Sequence, residues 1–184
     1  MISIRKSPVP ANTMLQRYST QGAYTDCYRT EVSERVSLRE YIFSFYTTPL
    51  FKLERFILEL FVVKPSTDLQ AQQLAEGSCD RFAAWHVEAR GETELLMCDF
   101  RGRTRSWLMT IPVNASNGSQ THLYFGSAIV PKRKPETGEL SLELGYQALL
   151  GFHRIYSALL LYSAKRRLEH RIRSSYDRQD QFHR

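Results

Sequence analysis

Apolar positions along this chain change period twice. Helical spacing of three and four residues dominates to about residue 81, alternation takes over from Phe82 to Val130, and helical spacing returns after Gly145. Before the first helical stretch, Tyr24, Tyr28, Thr30 and Val32 predict a β-strand over residues 23–32. Ser37-Leu-Arg-Glu40 is a capping box that opens a helix to about Tyr46. Thr48-Pro49 then predicts a second helix, with Thr48 as N-cap, proline at the first helical position, and a stripe of Leu53, Phe56, Ile57 and Leu60 ended by Pro65. Thr67-Asp-Leu-Gln70 repeats the capping pattern, and Gly77 suits the end of a third helix.

The alternating region reads as a meander. Trp85, Val87 and Ala89 alternate with His86, Glu88 and Arg90, which places those three polar residues on one strand face. Gly91-Glu-Thr and Arg101-Gly-Arg103 supply turns, and Asn117-Gly118 is a hairpin signal between strands over 104–113 and 120–130. Short separations make these strands antiparallel neighbours. Residues 132–139 read as a polar loop with Pro135 and Gly138, and 140–144 as a short strand or the approach to the last helix.

The final helix, Gly145 to Leu168, is the element the chain is organised around. Leu149, Phe152, His153, Tyr156, Leu160 and Ala164 form one stripe, and Leu159 and Leu161 widen it. So broad an apolar surface needs a large partner, and the preceding strands are that partner. The order of elements predicts the α+β class and, within it, a helix-grip fold: a curved antiparallel sheet wrapped around a long C-terminal helix. Residues 1–22, with Pro8 and Pro10, are expected as an extended arm, 23–168 as one helix-grip domain, and 169–184 as a basic tail.

Composition adds limits to this picture. A chain of 184 residues with 42% hydrophobic and 24% charged residues builds one globular domain with a real core. Its 10 Tyr, 10 Phe and 2 Trp suit an aromatic interior or an apolar ligand cavity. Of the formal charge of +6, the last 21 residues carry seven basic side chains against three acidic ones. That bias either solvates a helix end beside the negative pole of its dipole or attracts nucleic acid or anionic lipid. Cys27, Cys79 and Cys98 are scattered without a CxxC pair, which points to reduced thiols and a cytoplasmic setting. No stretch reaches the length of a membrane span, and the basic start lacks the apolar core of a secretory signal.

Ala23-Tyr-Thr-Asp-Cys, Thr48-Pro-Leu-Phe, Trp85-His-Val, Ser106-Trp-Leu and Phe152-His-Arg-Ile-Tyr occur in this order between residues 23 and 168. In that sequence of motifs the chain resembles an uncharacterised bacterial family of the START-like (SRPBCC, helix-grip) superfamily. The resemblance implies a cavity between sheet and long helix that holds a lipid, polyketide or other apolar molecule. Some members of the superfamily are cyclases or hydrolases.

Candidate chemistry is sparse. His153, set among apolar helix residues, is either a hydrogen-bonded core imidazole or a group that meets a ligand or moves a proton. Glu88 and His86 would run acid–base chemistry if their strand face lines the cavity, and are ordinary polar positions if it faces water. Arg105, beside Arg101 and Arg103, offers a clamp for a carboxylate or phosphate, or a solvated hairpin tip. Tyr156 on the helix, and Trp107 and Tyr124 on the strands, complete the expected lining with His153 and Arg105. The five histidines show no HExxH or paired spacing, and there is no P-loop, GxGxxG or GxSxG motif, so neither metal nor cofactor is expected. Binding of a small apolar or amphipathic molecule is the leading expectation, ahead of a cyclase- or hydrolase-type enzyme and of an interaction protein using its basic tail.

Overall fold

In the computed structural model, which describes residues 4–52, 66–115, 118–130, 132–133, 140–141 and 146–182, both expected capping boxes close. Ser37 caps α2 (Leu38–Tyr46), its hydroxyl accepting from the Glu40 amide while the Glu40 carboxylate takes the Ser37 amide at 2.9 Å. Thr67 and Gln70 do the same for α3 (Asp68–Glu76), which ends on Gly77 in the left-handed region at φ 77°. Thr48 accepts the Phe51 amide at 3.2 Å, and Pro49 opens a helical turn over 49–52. The stripe expected from Leu53 to Leu60 lies outside the described residues.

The strands form one seven-stranded antiparallel sheet. Its order is β1 (Arg5–Lys6), β2 (Tyr24–Val32), β7 (Gly118–Ile129), β6 (Thr104–Ala115), β5 (Glu94–Asp99), β4 (Trp85–Arg90) and β3 (Arg81–Phe82). Thus β4 to β7 are the expected meander, and β2 closes against β7, with Cys27 opposite Gly126. β6 and β7 pair out to Ala115 and Gly118, so the hairpin falls where Asn117-Gly118 signalled it, although residues 116–117 lie outside the described set. β8 (Lys132–Arg133) and β9 (Leu140–Ser141) make a separate short ladder, and the Pro135 and Gly138 loop is outside the described residues.

One face of the sheet carries the helices. Tyr28, Leu95, Met97, Leu108, Leu123 and Phe125 meet buried residues of α2, α3 and α4 (Tyr146–Phe182) in a single apolar cluster. The helix α4 is 37 residues long and runs past the expected end at Leu168 into the basic segment. Its buried stripe is Ser157, Leu160, Leu161, Ala164 and Leu168. Leu159, expected to widen that stripe, is exposed together with Ile155, because the partner surface covers less than the whole circumference. The side chains of Leu149, Phe152 and His153 lie outside the described residues.

The opposite face is not bare. The segment expected as an extended arm contains β1 and α1 (Gln16–Thr20), and Leu15 and Tyr18 are buried on the sheet. They join Cys27, Leu96, Trp107, Met109, Tyr124 and Ala128 in a second apolar cluster. A sheet with an apolar face on each side needs cover on both, and Val9, Met14, Leu15, Tyr18 and Ala23 supply the second layer.

Candidate functional site

The expected lining residues do not share one surface. Trp107, Tyr124 and Arg105 lie on the face under the N-terminal segment, whereas Tyr156 packs on the helix-bearing face. The strand period explains the split: Leu108 points toward the helices, so its neighbour Trp107 points away. The expectation of one lining formed by Trp107, Tyr124, Arg105 and Tyr156 is therefore corrected. The side chain of His153 lies outside the described residues.

His86, Glu88 and Arg90 are also separated. A β-bulge interrupts the pairing of β4 with β5 between Val87 and Ala89, leaving Glu88 as the unpaired extra residue. Past the bulge the alternation is inverted. Val87 packs toward the helices and Ala89 toward the N-terminal segment, while Arg90 turns back to donate to the Leu74 carbonyl of α3 at 2.7 Å. His86 is exposed in an open groove of about 460 Å³ with Arg81, Trp85 and Phe100. Strict alternation could not have revealed the bulge, because no glycine or proline marks it.

Glu88 instead joins an ionic cluster that holds the N-terminal segment down. Arg105 Nε donates to Glu88 Oε2 at 2.6 Å and to the Tyr18 hydroxyl at 2.9 Å, and its guanidinium lies 4.9 Å from the Tyr18 ring centroid. The Tyr18 hydroxyl and Arg17 both donate to the other Glu88 oxygen. Burial acts to raise the Glu88 pKa, but the Tyr18 hydrogen bond and the charges of Arg105 and Arg17 outweigh it and hold the carboxyl below its ordinary value. Burial, and then Glu88, push the Tyr18 phenol above its ordinary value, so it stays a neutral donor. A carboxylate with three donors and a depressed pKa is an anchor, not a poised general base.

A second carboxylate does similar work. Glu94 Oε2 accepts the indole Nε1 of the fully buried Trp107 at 2.7 Å and the Met14 amide at 2.9 Å. Neither Tyr18 nor Glu94 stands out in the sequence as holding this segment, since Tyr18 lies 70 residues from Glu88 and Met14 lies 80 from Glu94.

The helix-bearing face has a different character. Phe45, Tyr46, Phe51, Phe82 and Phe125 form a continuous aromatic layer, with ring centroids 4.9 to 6.1 Å apart. Two hydroxyls on the helices are stranded. Ser44 on α2 and Ser157 on α4 are both 0% exposed, and neither Oγ has a hydrogen-bond partner among the described residues. Leaving such a group unsatisfied costs about 1–3 kcal/mol, so polar atoms of this kind are rare in a finished interior. Ser157 was not among the residues of the expected helical stripe; its burial and its missing partner are tertiary facts.

Among the described residues no group of three His, Cys, Asp or Glu side chains is placed to hold a metal ion. None of the described helices is long and apolar enough to cross a membrane. No protein-family model matches the chain, and neither a curated protein nor a solved structure matches it.

Proposed function

We propose that the protein is a helix-grip module of the START-like kind that binds a small apolar or amphipathic molecule between the sheet and its helices. The observation that carries this reading is a pair of buried hydroxyls, Ser44 and Ser157, that have no hydrogen-bond partner among the described residues. Apolar walls supply affinity for such a ligand, and a few polar groups orient it. A ligand oxygen or amide reaching either serine would offset the cost of leaving that hydroxyl dry. Tyr156, partly buried against the same cluster, is a third polar group on this side. Free thiols at Cys27, Cys79 and Cys98 suit a cytoplasmic setting.

An enzyme of the cyclase or hydrolase type has weaker support. Glu88 is bound up on the other sheet face, and His86 stands in an open groove apart from it.

Native mass spectrometry of the purified full chain, followed by organic extraction, tests the binding reading. A bound small molecule, or saturable uptake of an apolar dye that Ser44→Ala and Ser157→Ala weaken, is the expected result. If the protein carries nothing, takes up no dye, and both alanine variants are simply more stable, the interior is a packed core and the reading fails.

A further inference from the structure

The flank of α4 beside Pro49 carries a second candidate, built from residues that the binding reading does not use. An open groove of about 640 Å³ runs between Pro49 and the helix. Arg166, Arg167, Arg171 and Arg173 line it with His170, against one acid, Glu169. That acid lies 3.6 Å from Lys165 Nζ, whose charge offsets it. We propose that this groove binds a small anion carrying two or more phosphate groups.

Three observations lead to that class of ligand. The first is Arg167, whose Nε is shielded from solvent and has no hydrogen-bond partner among the described residues. A guanidinium can only donate, and one left partly desolvated in this way gains more from an anionic oxygen at its outer N–H groups than from water. The second is Arg171, held 4.9 Å over the ring of Phe43, a contact that fixes the guanidinium plane and lowers the entropy lost when it grips an oxyanion. The third is the charge itself. Four guanidiniums against one acid exceed what a single carboxylate can neutralise, whereas an oligophosphate brings several charges and matches the arginine fork.

The groove also has the scale of a small-molecule site, within the usual range of about 300–1,000 Å³. An extended polyanion fits less well, because Asp177 and Asp180 follow the arginines along the same helix and break the basic run.

Isothermal titration of the full chain with inorganic pyrophosphate and tripolyphosphate, at about 150 mM salt, provides the test, with orthophosphate as the control. Pyrophosphate is expected to bind about tenfold more tightly than orthophosphate, and Arg167→Gln to weaken it about tenfold. Arg173→Gln, at an exposed position, is expected to weaken binding while leaving the circular dichroism and melting curve unchanged. Arg101→Gln, on the remote β5–β6 turn, should leave the affinity within about twofold. Vesicles of phosphatidylcholine with phosphatidylinositol bisphosphate, whose headgroup carries more than one phosphate, distinguish the source. Arg167-dependent binding to these, without soluble oligophosphate binding, assigns the phosphate chemistry to a lipid headgroup. Absence of binding to every phosphate probe, or an equal loss in Arg101→Gln, overturns the proposal. Apolar-dye uptake remains an independent measurement, so failure here leaves the sheet–helix ligand untouched.

Discussion

Leu15 closes over Gly126, and the fit requires that position 126 have no side chain. A Cβ there would stand 2.5 Å from Leu15 Cδ2, 2.9 Å from the Asp26 carbonyl oxygen and 3.1 Å from Trp107 Cε3. Gly126 thus lets the N-terminal segment press its one fully buried leucine onto the middle of β7. Gly126→Ala is expected to cost about 1–3 kcal/mol by overpacking, and Leu15→Ala about 2–5 kcal/mol by leaving a cavity. In the double variant the costs should be clearly less than additive, since the smaller residue 15 makes room for the methyl group. Urea unfolding of the four proteins measures this; strict additivity would show that the two positions do not touch.

The Glu88 cluster gives the protein an acid limb. A glutamate whose folded pKa is depressed stabilises the fold above its unfolded value, about 4.3, and that stabilisation disappears as pH falls through the lower folded value. The gap in urea midpoint between the native protein and Glu88→Gln should therefore be widest at neutral pH and close below about pH 4. A gap that stays constant across that range would mean that Glu88 is not held ionised by Tyr18, Arg105 and Arg17.

Glu94 ties the N-terminal segment to the sheet through two donors of very different origin, a backbone amide and a buried indole. Glu94→Ala strands both and is expected to cost about 2–3 kcal/mol. Trypsin should then cut at Arg17 in conditions where the native protein resists. Equal cleavage rates in the two proteins would place the hold on this segment elsewhere.

Burial, with the Asp26 charge second, pushes the Cys27 thiol up to about 12, and Cys98 is raised by burial as well. Cys79 is the thiol with partial exposure. Ellman's reagent near pH 8 should therefore titrate one thiol quickly in the native protein and all three after denaturation. Two fast thiols would indicate that the face carrying Cys27 and Cys98 opens readily.

Ala83 sits at φ 51° in the two-residue turn between β3 and β4, where a left-handed conformation disfavours a side chain. Ala83→Gly is expected to raise stability by about 1 kcal/mol, since relief of this strain exceeds the entropy that glycine loses on folding. A lower urea midpoint in the variant would mean that the methyl group's packing against the core matters more than the strain.

Local chemistry determined much of this fold. The capping boxes at Ser37 and Thr67, the left-handed end at Gly77, and the turns at Gly91 and Gly102 each depend on residues a few positions apart, so the sequence by itself placed the starts of α2 and α3 and the meander. Period-two alternation likewise put Leu123 and Phe125 on one face of β7 and Tyr124 on the other. What alternation could not say was which face each set would meet, because both faces of the central strands carry apolar residues. Only the tertiary structure decided that residues 9–23 cover the Trp107 side, that a bulge at Glu88 divides His86 from Arg90, and that the Ser157 hydroxyl and Arg167 Nε are shielded with no partner among the described residues. Burial and pairing across 70 or more residues depend on where the chain returns in space, and residue spacing along the chain carries no record of that.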